Sequence, residues 1–351
     1  AGTPAAVLIL TNNAVFTMPS QVLWMTGTDD TLVIDSGTLN VGQRLNAYSG
    51  MATFVIRGGT TTFGTTSASY VKTGTWNQSG GSVSFANPVE FGAVATTVSG
   101  GTFTTTAYPL YLGWGAGTFV GASTLTINGD DGPAIVDLKG LNLGYMTDAV
   151  GTVNLDGGML KIGSDGVTFG GGTGTGTGSI RFNGGTFQAS VATVAVTNHA
   201  GLTTVIDGGG AIFDTPTGYT LTFNNPLTTG TGNGGLTKTG AGTLILTGSN
   251  TYDGVTTISN GTVYLTGSYS GGGATAISAG TFILNGLHSG TGAITAQAGA
   301  VLSGTGIVNS ATVAVESGGI VTSIRTPVPG VLTCTNLAFQ AGGRVLCLVN
   351  G

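Results

Sequence analysis

The sequence predicts an all-β fold, a parallel β-solenoid in which each coil of the chain adds one short strand to every face. Three observations lead there. Gly242, Gly261, Gly280, Gly299 and Gly318 recur every 19 residues. The segments after them repeat as short apolar strands: Thr-Leu-Ile-Leu at 243–246, Thr-Val-Tyr-Leu at 262–265, Thr-Phe-Ile-Leu at 281–284, Ala-Val-Leu-Ser at 300–303 and Gly-Ile-Val-Thr at 319–322. The composition is also unusual, with 66 Gly in 351 residues and only 7% charged side chains, against about 25% in ordinary soluble proteins. A repeat this short cannot hold a helix–turn–helix unit. It suits short strands that bury their apolar face only by stacking on the next coil, at the usual strand spacing of about 4.8 Å.

Within the regular region, the first inward column is expected to be Leu244, Val263, Phe282, Val301 and Ile320, and a second to be Ile258, Ile277, Ala296, Val315 and Cys334. Strand alternation then sends Ile245, Tyr264, Ile283, Leu302 and Val321 outward. Five stacked apolar groups form a stripe that soluble monomers rarely expose, so it reads as a lateral contact or a loop-covered face. Residues 1–203 follow the same grammar less regularly. Short strands follow Gly-rich turns at 36–41, 81–85, 101–105, 151–155, 159–162, 179–182 and 185–188, and Gly37, Gly59, Gly81 and Gly101 are spaced by 22, 22 and 20. The expected period is therefore about 19–22 residues per rung, with runs such as 170–178 leaving a corner as loops. No linker separates domains, so residues 1–351 read as one elongated solenoid, irregular over 1–203 and regular over 204–351.

Composition excludes several functions. A net charge of −5 with nine scattered Lys and Arg lacks the clustered cations that nucleic acid requires. No apolar run approaches the roughly 20 residues of a membrane helix. The start at Ala1, without a basic leader, reads as a mature end after signal-peptide removal, and hence as an extracellular or cell-surface chain.

Enzyme chemistry finds little support. The chain has two Glu, Glu90 and Glu316, many rungs apart, whereas glycoside hydrolysis needs facing carboxyls. The best charged cluster is Asp137, Lys139, Asp148, Asp156 and Lys161; Asp137 and Asp156 stand 19 apart and would stack. A solvated face balanced by lysines is the stronger reading. Asp29–Asp30 and Asp130–Asp131 fall in turns where Asp caps its own backbone. His199 and His288 are too separate for a metal site, and 170–178 lacks the Gly-Lys-Ser/Thr ending of a phosphate loop. No catalytic residue, metal or cofactor is expected. Thr-x-Thr pairs such as Thr102/Thr104 suggest an ice-binding lattice, but the regular region offers no aligned second column. Cys334 and Cys347 are placed inside the last rungs, as a candidate disulfide or as two buried thiols.

Residues 204–268 carry a more specific signal. The stretches Val205-Ile-Asp-Gly-Gly-Gly-Ala-Ile-Phe-Asp214, Gly234-Gly-Leu-Thr-Lys-Thr-Gly-Ala-Gly-Thr-Leu-Ile-Leu-Thr-Gly-Ser-Asn-Thr-Tyr252 and Thr256-Thr-Ile-Ser-Asn-Gly-Thr-Val-Tyr-Leu265 resemble the autotransporter-associated β-strand repeat. Residues 326–330 and 337–343 are similar to that family's closing segment. The resemblance implies a right-handed, single-stranded parallel β-helix from a bacterial surface or secreted protein, and it implies no particular activity.

The leading functional expectation is a secreted structural protein that stacks head to tail into extracellular filaments or a biofilm matrix. Its axial joint would be formed by Ala6, Val7, Leu8, Ile9 and Leu10 with Val345, Leu346, Leu348 and Val349, strands without blocking charge at open solenoid edges. The partner is then another copy of the chain, with a cell-surface or matrix polysaccharide as a further candidate. The alternatives are a monomeric adhesin passenger and a polysaccharide-active β-helix enzyme.

Overall fold

Alternating apolar residues on a lone strand bury nothing, and the chain satisfies them by laying each strand on the one a turn earlier. The computed structural model describes residues 5–64, 67–114, 121–171, 176–323, 325–326, 328–329 and 331–346. Its regular elements are all strands, and no helix among the described residues is long and apolar enough to cross a membrane. The chain divides into two compact units, residues 1–181 with 199–202 and residues 182–198 with 203–351. Each unit is a parallel β-solenoid, and a turn takes about 23 residues on average.

In the first unit, three parallel ladders run through successive turns. One begins with Val7–Leu10 on Asp29–Ile34, the second with Val15–Met18 on Thr38–Val41, and the third with Leu23–Trp24 on 45–46. The ladder register stacks the core rings. Phe54 is the register partner of Trp76, with centroids 4.7 Å apart, and Phe63 that of Phe85, at 4.5 Å. All four rings are buried. At one corner the rungs touch backbone to backbone: a Cβ on Gly42 would lie 2.0 Å from the carbonyl oxygen of Pro19, and one on Gly64 2.0 Å from that of Gly42. The period exceeds the expected 19–22 residues where Ala95 pairs with Thr124 and Thr102 with Ile135. Strand pairing is intact on both sides of this longer step, in Leu110–Leu112 and in Ala122–Ile127.

The second unit contains the 19-residue region. Thr243–Leu246 stacks on Thr262–Leu265, and that strand on Thr281–Leu284, in the expected register. One rung later the register corrects the expected faces. Thr281 pairs with Val301 and Phe282 with Leu302, a step one residue longer, while the glycines keep their spacing. The cause is the corner. Ile258 to Thr262 and Ile277 to Thr281 are joined by three residues, but Ala296 to Val301 by four, closed by the Ala300 N–H donating to the Gln297 carbonyl at 3.0 Å. The same four-residue turn recurs where Gly319 N–H donates to Glu316 O and Gly343 N–H to Gln340 O.

The inward column is therefore Leu244, Val263, Phe282, Leu302 and Val321. Leu302 and Val321 are 0% and 7% exposed, and Val301 and Ile320 lie on the other face. Cys334 is displaced too. It pairs with Val308, whereas Val315 pairs with Phe339, because residues 316–332 make that turn longer.

Two inward polar residues contrast. Lys238 occupies the core row between Phe213 and Ile258 and is fully buried. Its alkyl stem replaces an apolar side chain, and its ammonium donates to the carbonyls of Thr239, Gly240 and Asn260. His288 continues the row of Asn250 and Tyr269 and is also buried, yet neither ring nitrogen has a hydrogen-bond partner among the described residues. Burial pushes its pKa down from 6.5 to about 4. The unfolded chain thus takes up a proton that the folded chain refuses as pH falls from 6.5 to 4, and stability is lost across that window. Urea melts at pH 7 and pH 4 should differ by about 3 kcal/mol on account of this residue, and His288→Leu should remove that part of the acid sensitivity.

Candidate functional site

The residues of the expected axial joint lie on edge strands. Among the described residues, Val7–Leu10 has one ladder partner, Asp29–Ile34, and leaves Val7 and Ile9 exposed while Leu10 is buried. Ala6 is exposed, Leu8 half-buried, and the Ala6 N–H donates to Asp30 Oδ1 at 2.9 Å. Arg344–Leu346 likewise has one partner, Ile320–Ser323, with Val345 and Leu346 exposed. Leu348, Val349 and Cys347 lie outside the described residues. Cys334 is half-buried, and burial raises its thiol pKa.

The outward apolar stripe is shorter than expected. Ile245, Tyr264 and Ile283 stack in one outward column, but the longer corner continues it with Ser303 and Thr322, since Leu302 and Val321 point inward. The charged cluster also differs. Asp137 pairs in register with Lys161, so opposite charges stack where two aspartates were expected, and Lys139 Nζ meets Asp165 Oδ2 at 2.9 Å. Among the described residues no three His, Cys, Asp or Glu side chains could hold a metal. His199 stacks on Phe169 at 4.1 Å. Asp30 caps a turn as expected, accepting the Gly27 N–H at 2.8 Å. In the first unit, aligned hydroxyl pairs do occur: Thr60/Thr62, Ser82/Ser84 and Thr102/Thr104 are register partners in successive turns.

The most distinctive surface is one that sequence reasoning missed. In the third ladder of the first unit, Trp24, Asn46, Tyr70, Glu90, Tyr111 and Asn142 are register partners, one per turn. Each falls between two inward residues, as in Leu45-Asn46-Ala47, Val89-Glu90-Phe91, Leu110-Tyr111-Leu112 and Leu141-Asn142-Leu143, and so faces outward. Rings and polar groups alternate along the column. Further aromatics pack beside it: Trp114 lies 5.0 Å from Tyr70, Tyr48 6.5 Å from Tyr70, and Tyr145 5.2 Å from Tyr111. Arg44 sits 5.7 Å from the Tyr70 ring centroid and Lys72 5.4 Å from that of Tyr48, both within cation–π range.

Each polar member keeps one oxygen without a hydrogen-bond partner among the described residues. Asn46 and Asn142 are only 7% and 6% exposed, and the Oδ1 atom of each is buried without a hydrogen-bond partner. Asn142 Nδ2 is held by Thr168 Oγ1 at 2.9 Å and the Gly170 carbonyl at 2.7 Å, which fixes the amide. Glu90 Oε2 is likewise buried and unpartnered. Burial lifts the Glu90 pKa from 4.5 to about 7 and, with the Glu90 carboxylate as a second cause, raises that of Tyr70. The steps between these residues run from 20 to 31, which hid the column from a search at fixed period. A polar or aromatic residue between two core residues is the signal that would have found it.

Among the described residues the chain is a stack of parallel strands, a β-solenoid with its chemistry displayed on outward columns. The comparisons agree. Residues 236–265 match the passenger-associated-transport-repeat family. In an alignment 301 residues long that covers 70% of the chain, it is 30% identical to the adhesin BmaC autotransporter of Brucella suis biovar 1 (strain 1330), and it spans 9% of that protein. No solved structure gives a significant match. The chain is thus similar to autotransporter passengers.

Because folding raises the Glu90 pKa above its unfolded value, its stabilising contribution is complete below pH 4.5 and is lost as pH rises through about 7. Glu90→Gln should therefore gain stability over wild type at pH 8 and lose that advantage at pH 4, measured as the shift in urea midpoint.

Proposed function

We propose that the chain is part of a non-enzymatic, adhesin-type passenger, exposed on or released from a bacterial cell, and that its contact surface is the Trp24–Asn142 ladder. The observation that supports this reading is the alternation of rings with buried, unpartnered oxygens on one outward column. Side chains kept only for packing would lie on the inward columns, and side chains kept only for solubility would be solvated. The similarity to a protein named as an adhesin supports the same class. Binding of the labelled, purified chain to intact mammalian and bacterial cells tests it. The double variant Trp24→Ala/Tyr111→Ala should bind at least about 5-fold more weakly, the loss expected for removing anchor aromatics; unchanged binding would exclude the ladder as the contact surface.

A second reading, head-to-tail assembly, is favoured by a different observation: Val7–Leu10 and Arg344–Leu346 expose apolar side chains and each has a single ladder partner among the described residues. Such edges template pairing with another chain, and a contact that does not close makes an open filament. Ile245 and Tyr264 would serve as its lateral contact, while Ile283 in the same column is only 7% exposed. Electron microscopy of the purified chain should show fibres that vanish when residues 1–10 are deleted. Isolated particles from the undeleted chain would end this reading.

A further inference from the structure

We infer that the Trp24–Asn142 ladder binds an extended, neutral, β-linked glycan lying along the stacking direction of the rungs. This deepens the reading of the ladder as a contact surface and rests on it. The argument begins with periodicity. Trp24, Tyr70 and Tyr111 occupy every second turn, and Asn46, Glu90 and Asn142 the turns between. Parallel strands about 4.8 Å apart place successive rings about 10 Å apart. A β-1,4-linked glycan of glucose, mannose or N-acetylglucosamine turns over at each sugar, so the same face returns once per disaccharide, a repeat close to the ring spacing.

Chemistry narrows the ligand further. A sugar has an apolar C–H face that packs on an aromatic ring and a rim of hydroxyls that must stay hydrogen-bonded. The ladder offers both in alternation. Asn46 Oδ1, Glu90 Oε2 and Asn142 Oδ1 are acceptors without donors, and a buried acceptor left unmade is costly. Hydroxyl donors at each polar rung would recover that cost; a lipid tail or an apolar protein face would not. Cationic ligands are disfavoured by charge, because Arg44 and Lys72 stand 5.7 and 5.4 Å from the ring centroids of Tyr70 and Tyr48. An added peptide strand is disfavoured as well, because the backbone at 69–71, 89–91 and 110–112 is paired on both edges. Trp24, 58% exposed at one end of the column, is open for stacking.

The test is an array of neutral β-linked oligosaccharides, two to eight sugars long, built from glucose, galactose, mannose or N-acetylglucosamine, followed by calorimetry with the best binder. Affinity should rise with length until the glycan spans Trp24 to Tyr111. Trp24→Ala and Tyr111→Ala should each weaken binding at least about 5-fold, and Trp24→Ala should shift the length dependence to shorter ligands. Circular dichroism melts of both variants confirm that they fold. No binding to any member at millimolar concentration, affinity independent of length, or affinity unchanged in both folded variants would overturn the inference. A blank array with cell binding still lost in the double variant would overturn the glycan and leave the adhesin reading standing. Array binding without cell binding would do the reverse.

Discussion

In-register parallel stacking is the constraint on which everything else in this protein depends. A strand of four residues gains burial only if each inward side chain meets the side chain one turn earlier, and it gains hydrogen bonds only if its backbone is aligned with that turn. Phe54 on Trp76 and Phe63 on Phe85 are stacked because the register sets each directly over the other. The same demand explains Lys238. Its stem fills the gap between Phe213 and Ile258, and its ammonium turns a polar corner into a satisfied one. It also explains glycine at Gly42 and Gly64, where neighbouring backbones come too close for any side chain.

The outside obeys the ladder geometry without the packing rule. An outward residue is held at a fixed spacing from its neighbours, yet need not match them in shape. Regular arrays of chemistry can therefore be written on a face while the core changes little. The alternating Trp24, Asn46, Tyr70, Glu90, Tyr111 and Asn142 column is such an array, and so are the paired hydroxyls of Thr60/Thr62 and Ser82/Ser84. A parallel β-solenoid is suited to surface contact for this reason: its rigid interior spaces groups that would otherwise sit on mobile loops.

The sequence pattern made the fold legible because its most regular stretch repeats both glycines and apolar strands, and Leu244, Val263 and Phe282 stand where that pattern puts them. It misled at Leu302 and Val321 because the glycine column and the strand column part company at a four-residue corner, and no residue type marks the extra position before the turn closes. Cys334 was misplaced by the same assumption of constant period across residues 316–332. The aromatic–polar column was invisible for a related reason. Tyr111 and Asn142 are 31 residues apart in sequence yet neighbours in the ladder, and only strand pairing reveals them as members of one row.

The interchangeable three- and four-residue corners have an evolutionary consequence. They act as a vernier between sequence and face, so that a codon gained or lost at a corner is phase-neutral while one inside a strand inverts interior and exterior. Lineages of such chains are free to drift in length at their corners without disturbing what they present to the world outside. Alignments anchored on the glycines alone will then assign some residues to the wrong side of the wall.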